Sequence, residues 1–171
     1  MKNLLIILVL LPIFVMGQTT LDSANKLLKE KKFKKAKQEF SEIIKNNRKS
    51  HMAFLGRGNC FYELKEYKLA IEDYSKAVEL KNDFVKAYSN RAGTYYIMND
   101  YQNAILDYSK IIELNPEDLA STYFLRGLCK SVLLKEDVVG ACEDFKKAKS
   151  LGYSTVGLNG LNKYCNTTDL E

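Results

Sequence analysis

Val85–Asp118 reads VKAYSNRAGTYYIMNDYQNAILDYSKIIELNPED. Tyr88, Ala92 and Tyr95 are spaced four and then three apart, so they share one face of a helix. Ala104, Tyr108 and Ile111 repeat that spacing on a second helix. Met98-Asn99-Asp100 makes the turn between them, with Asp100 placed to cap the second helix. Leu114-Asn115-Pro116 ends the unit, because proline brings no amide to a continuing ladder. Small Ala92 opposite small Ala104 lets the two helices approach, and tyrosines fill the wider ends.

The same pattern stands 34 residues earlier in HMAFLGRGNCFYELKEYKLAIEDYSKAVELKNDF, His51–Phe84. A further step back gives Gly17–Ser50, where Ala24, Leu27, Phe33, Ala36, Phe40 and Ile43 keep the register. After one extra residue, Ala120–Tyr153 matches through Tyr123, Gly127, Ala141, Phe145, Ala148 and Leu151. Its Gly127-to-Ala141 interval is two residues long in excess, and Leu133–Val138 is where that length falls. A single hairpin has too little interior to be stable alone, so copies must stack. The chain therefore reads as one all-α domain.

These units resemble the tetratricopeptide repeat family, whose pattern is a large residue, then L-G, then Y, and later A, F/Y, A and P. Val85–Asp118 departs from it at Arg91-Ala92, and Asn82 replaces proline in His51–Phe84. The resemblance implies an α-α superhelix of about four hairpins, at 17–50, 51–84, 85–118 and 120–153. Gly152 suits a helix end, since glycine tolerates the left-handed conformation found there. A capping helix at 154–165 follows, its Val156, Leu158, Leu161 and Tyr164 covering the last hairpin, and residues 166–171 form a flexible tail.

Residues 1–17 are different in kind. Lys2 is the only charge before an apolar run from Leu4 to Val15, and Met16-Gly17 follows. That order reads as a secretory signal peptide, with a run shorter than the roughly 20 residues that span a bilayer. Residues 18–165 are then the repeat domain, in the periplasm or outside the cell, and membrane contact is confined to the signal segment if it is uncleaved.

The net charge of +5 is uneven. Residues 18–50 hold ten Lys/Arg against four Asp/Glu, hence +6, and residues 51–171 hold 15 against 17, hence −2; Lys2 supplies the remaining +1. The lysines from Lys29 to Lys37 read as the solvated face of a terminal repeat, with attraction of an acidic partner the other reading. No aromatic-basic motif points to nucleic acid.

Three repeats carry an arginine and an aspartate at matching positions: Arg57 with Asp73, Arg91 with Asp107, and Arg126 with Asp144. The first repeat has Ser23 and Glu39 there. An arginine unpaired on the flank between helices is costly to desolvate, so each pair is expected to be an internal ion bridge.

The resemblance places a peptide-binding groove on the first helix of each hairpin. Its candidate residues are Asn25, Leu55, Asn59, Tyr62, Lys86, Asn90, Tyr96 and Phe124. Amide side chains bond a peptide backbone in both directions, and apolar residues supply pockets. The carboxylate-clamp version of the groove is not expected, because Leu55, Ser121 and Leu125 stand at its basic positions.

Four cysteines allow three complete pairings. Cys60 and Cys129 lie two repeats apart, beyond the reach of a bridge, and read as small buried hydrophobes. Cys142 and Cys165 are expected to pair, the cap folding back beside the last full helix. The segment GACEDFKKAKSLGY…LNKYC also resembles the ending of exported tetratricopeptide proteins of the Bacteroidetes type.

Catalysis needs convergent groups of tuned pKa. His51 is the sole histidine and reads as a surface residue. There is no G-x-S-x-G, glycine-rich phosphate loop, H-E-x-x-H or CxxC. The expectation is a non-enzymatic binding module with no cofactor, no metal and no small-molecule substrate. Its partner is another protein or a peptide segment. An accessory subunit that packs by its outer surfaces is the alternative.

Overall fold

A computed structural model of the chain describes residues 21–114, 117, 119–133, 138–154 and 165. Eight helices run through these residues. Residues 21–29 form α1, followed by α2 (Phe33–Asn46), α3 (His51–Glu63), α4 (Tyr67–Leu80), α5 (Val85–Ile97), α6 (Tyr101–Leu114), α7 (Ala120–Leu133) and α8 (Val138–Ser150). Each expected hairpin is thus one pair of helices. The expected signal segment, the tail and the cap between Ser154 and Cys165 lie outside the described residues.

The chain divides into two units, residues 1–82 and 83–171. In the first, α2 packs on α3 and α3 on α4. Its core joins Ala24, Ala36, Phe40, Ile43, Ala53 and Cys60, with Leu27 and Leu28 packed against them. In the second, α5 packs on α6, α6 on α7 and α7 on α8. Ala92, Ala104, Tyr108, Ile111 and Cys129 form one cluster there, flanked by Tyr88 and Tyr95. The four-then-three spacing of the sequence is therefore the buried face. Ala141, Cys142, Phe145 and Cys165 form a second cluster at the end of this unit.

The turns inside the first three hairpins share one device. Lys31, Lys65 and Asn99 occupy the same repeat position, and all three have positive φ, at 58°, 61° and 60°. One left-handed residue reverses the chain in the shortest loop, at a steric penalty for a side chain with a Cβ. Asp100 caps α6: its Oδ1 accepts from the Asn103 amide at 3.3 Å and its Oδ2 from Asn103 Nδ2 at 2.7 Å. Gly152, at φ 88°, ends α8, and the Tyr153 amide donates back to the Ala148 carbonyl.

Close approach is bought by missing side chains. A Cβ on Gly58 would stand 2.6 Å from Tyr74 Cε1, and one on Gly127 the same distance from Phe145 Cε1. Both pairs join the helices of one hairpin. Gly56 faces Phe40 of the preceding hairpin, where a Cβ would lie 2.3 Å from the ring.

Cys142 and Cys165 are bridged, with Cα atoms 5.4 Å apart. Cys60 and Cys129 are free and buried. Burial pushes both thiols up to about 12, since an apolar interior penalises the thiolate. His51 opens α3 and is half-buried rather than fully exposed.

Candidate functional site

The three Arg–Asp pairs are the most regular polar feature. Arg57 Nε and Nη2 donate to Asp73 Oδ2 and Oδ1, both at 2.7 Å. Arg91 meets Asp107 in the same fork at 2.8 and 2.7 Å, and Arg126 meets Asp144 at 2.8 and 2.6 Å. The aspartate side chains are only 4–7% exposed. Hydrogen bonds to Asp73 and Asp144 raise the guanidinium pKa of Arg57 and Arg126; at Arg91 burial is the largest influence and opposes the rise, and the bond and charge of Asp107, with Tyr95 and Tyr88, together outweigh it. Burial lifts the Asp73 carboxyl against the pull of Arg57, but a two-pronged guanidinium contact is the geometry of an ionised pair.

A third contact was not foreseen from the sequence. Arg57 Nη1 donates to Ser41 Oγ at 3.3 Å, and Arg126 Nη1 to Ser109 Oγ at 3.1 Å. Each serine sits on the second helix of the preceding hairpin, so these two arginines bind their own hairpin and its neighbour. The signal was present in the recurring motif: Ser41, Ser75 and Ser109 each lie two residues after the acidic position. The fourth hairpin has Lys146 there, with no fifth arginine following it. Lys130 adds a bridge to Asp144 Oδ2 at 2.9 Å. The Nε–Nη2 edge of each guanidinium, the one that would fork onto a ligand carboxylate, is committed to its own aspartate.

In the first unit, Asn25 on α1 and Asn59 and Tyr62 on α3 are half-buried. Asn59 Oδ1 accepts from Tyr74 Oη at 2.9 Å, so this amide is anchored to the second helix of its hairpin. Tyr62 packs edge-on to Tyr67, with ring centres 5.7 Å apart. Leu55 is a correction: it is 4% exposed, so its side chain belongs to the interior and offers a partner no pocket.

In the second unit, Lys86 is exposed and Asn90 half-buried on α5. Tyr96 packs edge-on to Tyr101 at 5.5 Å, the same relation as Tyr62 with Tyr67. Phe124 lies stacked against Tyr153 at 4.3 Å and tilted against Phe145 at 5.9 Å. It is part of the apolar cluster beside the disulfide.

Away from these residues, an open depression of about 560 Å³ in the first unit is lined by Lys37, Gln38, Glu39, Ser41, Glu42 and Phe61. Among the described residues, no group of three His, Cys, Asp or Glu side chains could hold a metal ion, and no helix is long and apolar enough to cross a membrane.

Two family models match the chain: "Tetratricopeptide repeat" over residues 85–118 and "TPR repeat" over residues 58–98. The chain carries tetratricopeptide repeats. Solved structures agree with that fold. A crystal structure of MamA protein superposes with a TM-score of 0.78 at 19% identity, covering 90% of this chain and 83% of that one. MamA from Desulfovibrio magneticus RS-1 gives 0.77 at 17% identity, covering 90% and 86%. The first tetratricopeptide domain of Spaghetti (RPAP3), bound to the HSP90 peptide SRMEEVD, gives 0.58 at 20% identity, covering 81% and 94%. No curated protein sequence matches the chain. The fold class is all-α, and the hairpins are those of a tetratricopeptide solenoid.

Proposed function

We propose that the chain is a non-enzymatic interaction module that holds a segment of another protein on the first helices of its repeats. The observation that carries this reading is the composition of that face within each unit. Asn25, Asn59 and Tyr62 in the first, and Asn90 and Tyr96 in the second, are half-buried, and Lys86 is exposed. Half-exposed amides and tyrosine rings supply directional bonds and stiff apolar area to an incoming backbone. The likeness to a domain solved with a bound peptide supports the same reading. The module works in the periplasm or outside the cell, a placement supported by the Cys142–Cys165 bridge, because such bridges persist in oxidising compartments. The apolar run at residues 4–15 is read as its export signal.

The test is crosslinking in intact cells, comparing the wild-type chain with Tyr62→Ala/Asn90→Ala. Loss of at least tenfold in captured partner supports the helix face as the binding surface. Unchanged capture, with the fold intact by circular dichroism, transfers the role to the outer surfaces. That second reading has its own support, since Leu106 on α6 is 62% exposed and Val139 on α8 is 68% exposed.

A further inference from the structure

Three hairpins satisfy their buried acid with an arginine from the preceding helix, and the first does not. Its acid is Glu39 on α2, and Ser23 stands on α1 where the others have arginine. Among the described residues, Glu39 Oε2 is buried with no hydrogen-bond partner. Two neighbouring polar groups are engaged elsewhere: Lys37 Nζ pairs with Glu66 at 3.3 Å and lies 5.0 Å from the Phe61 ring centre. Ser41 Oγ donates to the Lys37 carbonyl and accepts from Arg57. Glu39 also lines the open depression of the first unit, together with Phe61 and Glu42.

We propose that Glu39 is a socket for an arginine supplied by a partner protein. A carboxylate oxygen shut from water without a donor is unfavourable, and a guanidinium matches it in the planar, two-pronged way that the other hairpins display. Glu39 lines the depression, and turning its carboxylate about the last bonds is the motion that would present the buried oxygen there. Phe61 gives the arginine stem an aromatic wall, which Lys37 Nζ already approaches at 5.0 Å from the ring centre, and Glu42 adds a second negative charge, faced by Lys45 at 3.9 Å. Exposed Lys34 and Lys35 on the same helix set the flanking chemistry: the arginine arrives in a segment otherwise acidic. This site is separate from the first-helix face proposed above and stands or falls without it.

The probe is the blocked tripeptide acetyl-Asp-Arg-Asp-amide, titrated into the full chain and followed by amide chemical shifts. Saturable shifts at Glu39, Ser41 and Phe61 are expected. The citrulline tripeptide, which keeps the shape and loses the charge, should bind at least tenfold more weakly. Glu39→Gln should abolish the response at an unchanged melting temperature, and Ser23→Arg should block the tripeptide by filling the socket from within. Absence of saturable shifts in the wild type, or equal binding by the Glu39→Gln variant, would overturn the proposal. Concentration-dependent self-association that Glu39→Gln removes would overturn the partner assignment and give the socket to a second copy of this chain.

Discussion

A methyl group on Gly58 would meet Tyr74 at 2.6 Å, and Tyr74 is not free to retreat because its Oη is bonded to Asn59. Gly58→Ala should therefore destabilise the chain by about 1–3 kcal/mol, the usual range for overpacking, as read from urea unfolding. Gly93 is the internal control. It is also mid-helix, but a Cβ there meets nothing within 4 Å, so Gly93→Ala should stabilise by about 0.5–1 kcal/mol through helix propensity alone. The sequence made the first of these glycines legible, because Gly58 and Gly127 fall at the family's glycine position. Gly56 was not legible. Its partner, Phe40, belongs to the preceding hairpin, and a contact between hairpins leaves no spacing within one repeat to read. Leu55 was misplaced for a related reason. A helix-face assignment gives the direction of a side chain, whereas its burial depends on what the next helix covers.

Between elements, the arginines combine two kinds of contact. Arg57→Ala leaves Asp73, 7% exposed, without its counter-charge, and a broken buried pair costs about 3–5 kcal/mol. Arg57→Met/Asp73→Leu removes both charges and should recover most of that loss, since a well-packed apolar pair replaces a buried ion pair at little cost. If the double variant is as unstable as the single one in urea unfolding, the bridge contributes more than charge compensation. Ser109→Ala tests the contact across hairpins: losing one neutral-to-charged bond from Arg126 should cost about 1.5–3 kcal/mol. The Arg–Asp spacing was readable because it recurs in three repeats. The serine recurs at the same position in Glu39-Phe40-Ser41, Asp73-Tyr74-Ser75 and Asp107-Tyr108-Ser109, but its partner lies one repeat later, outside the hairpin within which the spacing is read.

Across the whole chain, the number of hairpins and the pairing of Cys142 with Cys165 were readable from the 34-residue period and the cysteine positions, whereas the division after Asn82 was not. Period counts hairpins but does not say where contacts thin. The thiols turn that division into a measurement, because each unit holds one of them: Cys60 in the first and Cys129 in the second. With both pKa values pushed up to about 12 by burial, neither thiol is ionised at pH 8 in the folded chain, so alkylation by iodoacetamide must wait for opening. The sign of the linkage follows. A thiol pKa raised by folding contributes stability below its ordinary value near 9, and that contribution is lost as pH rises toward 12; the urea midpoint should accordingly fall over that window, less steeply in Cys60→Ala. The disulfide closes a loop of sequence separation 23 within the second unit, and its removal should cost that unit about 2–4 kcal/mol. Stacked repeats open locally, each contacting only its neighbours. Reduction at pH 8 should therefore accelerate labelling of Cys129, read site by site by mass spectrometry, and leave the rate at Cys60 unchanged. Equal acceleration at both thiols would mean that the two units open together, and the array would have to be treated as one cooperative body.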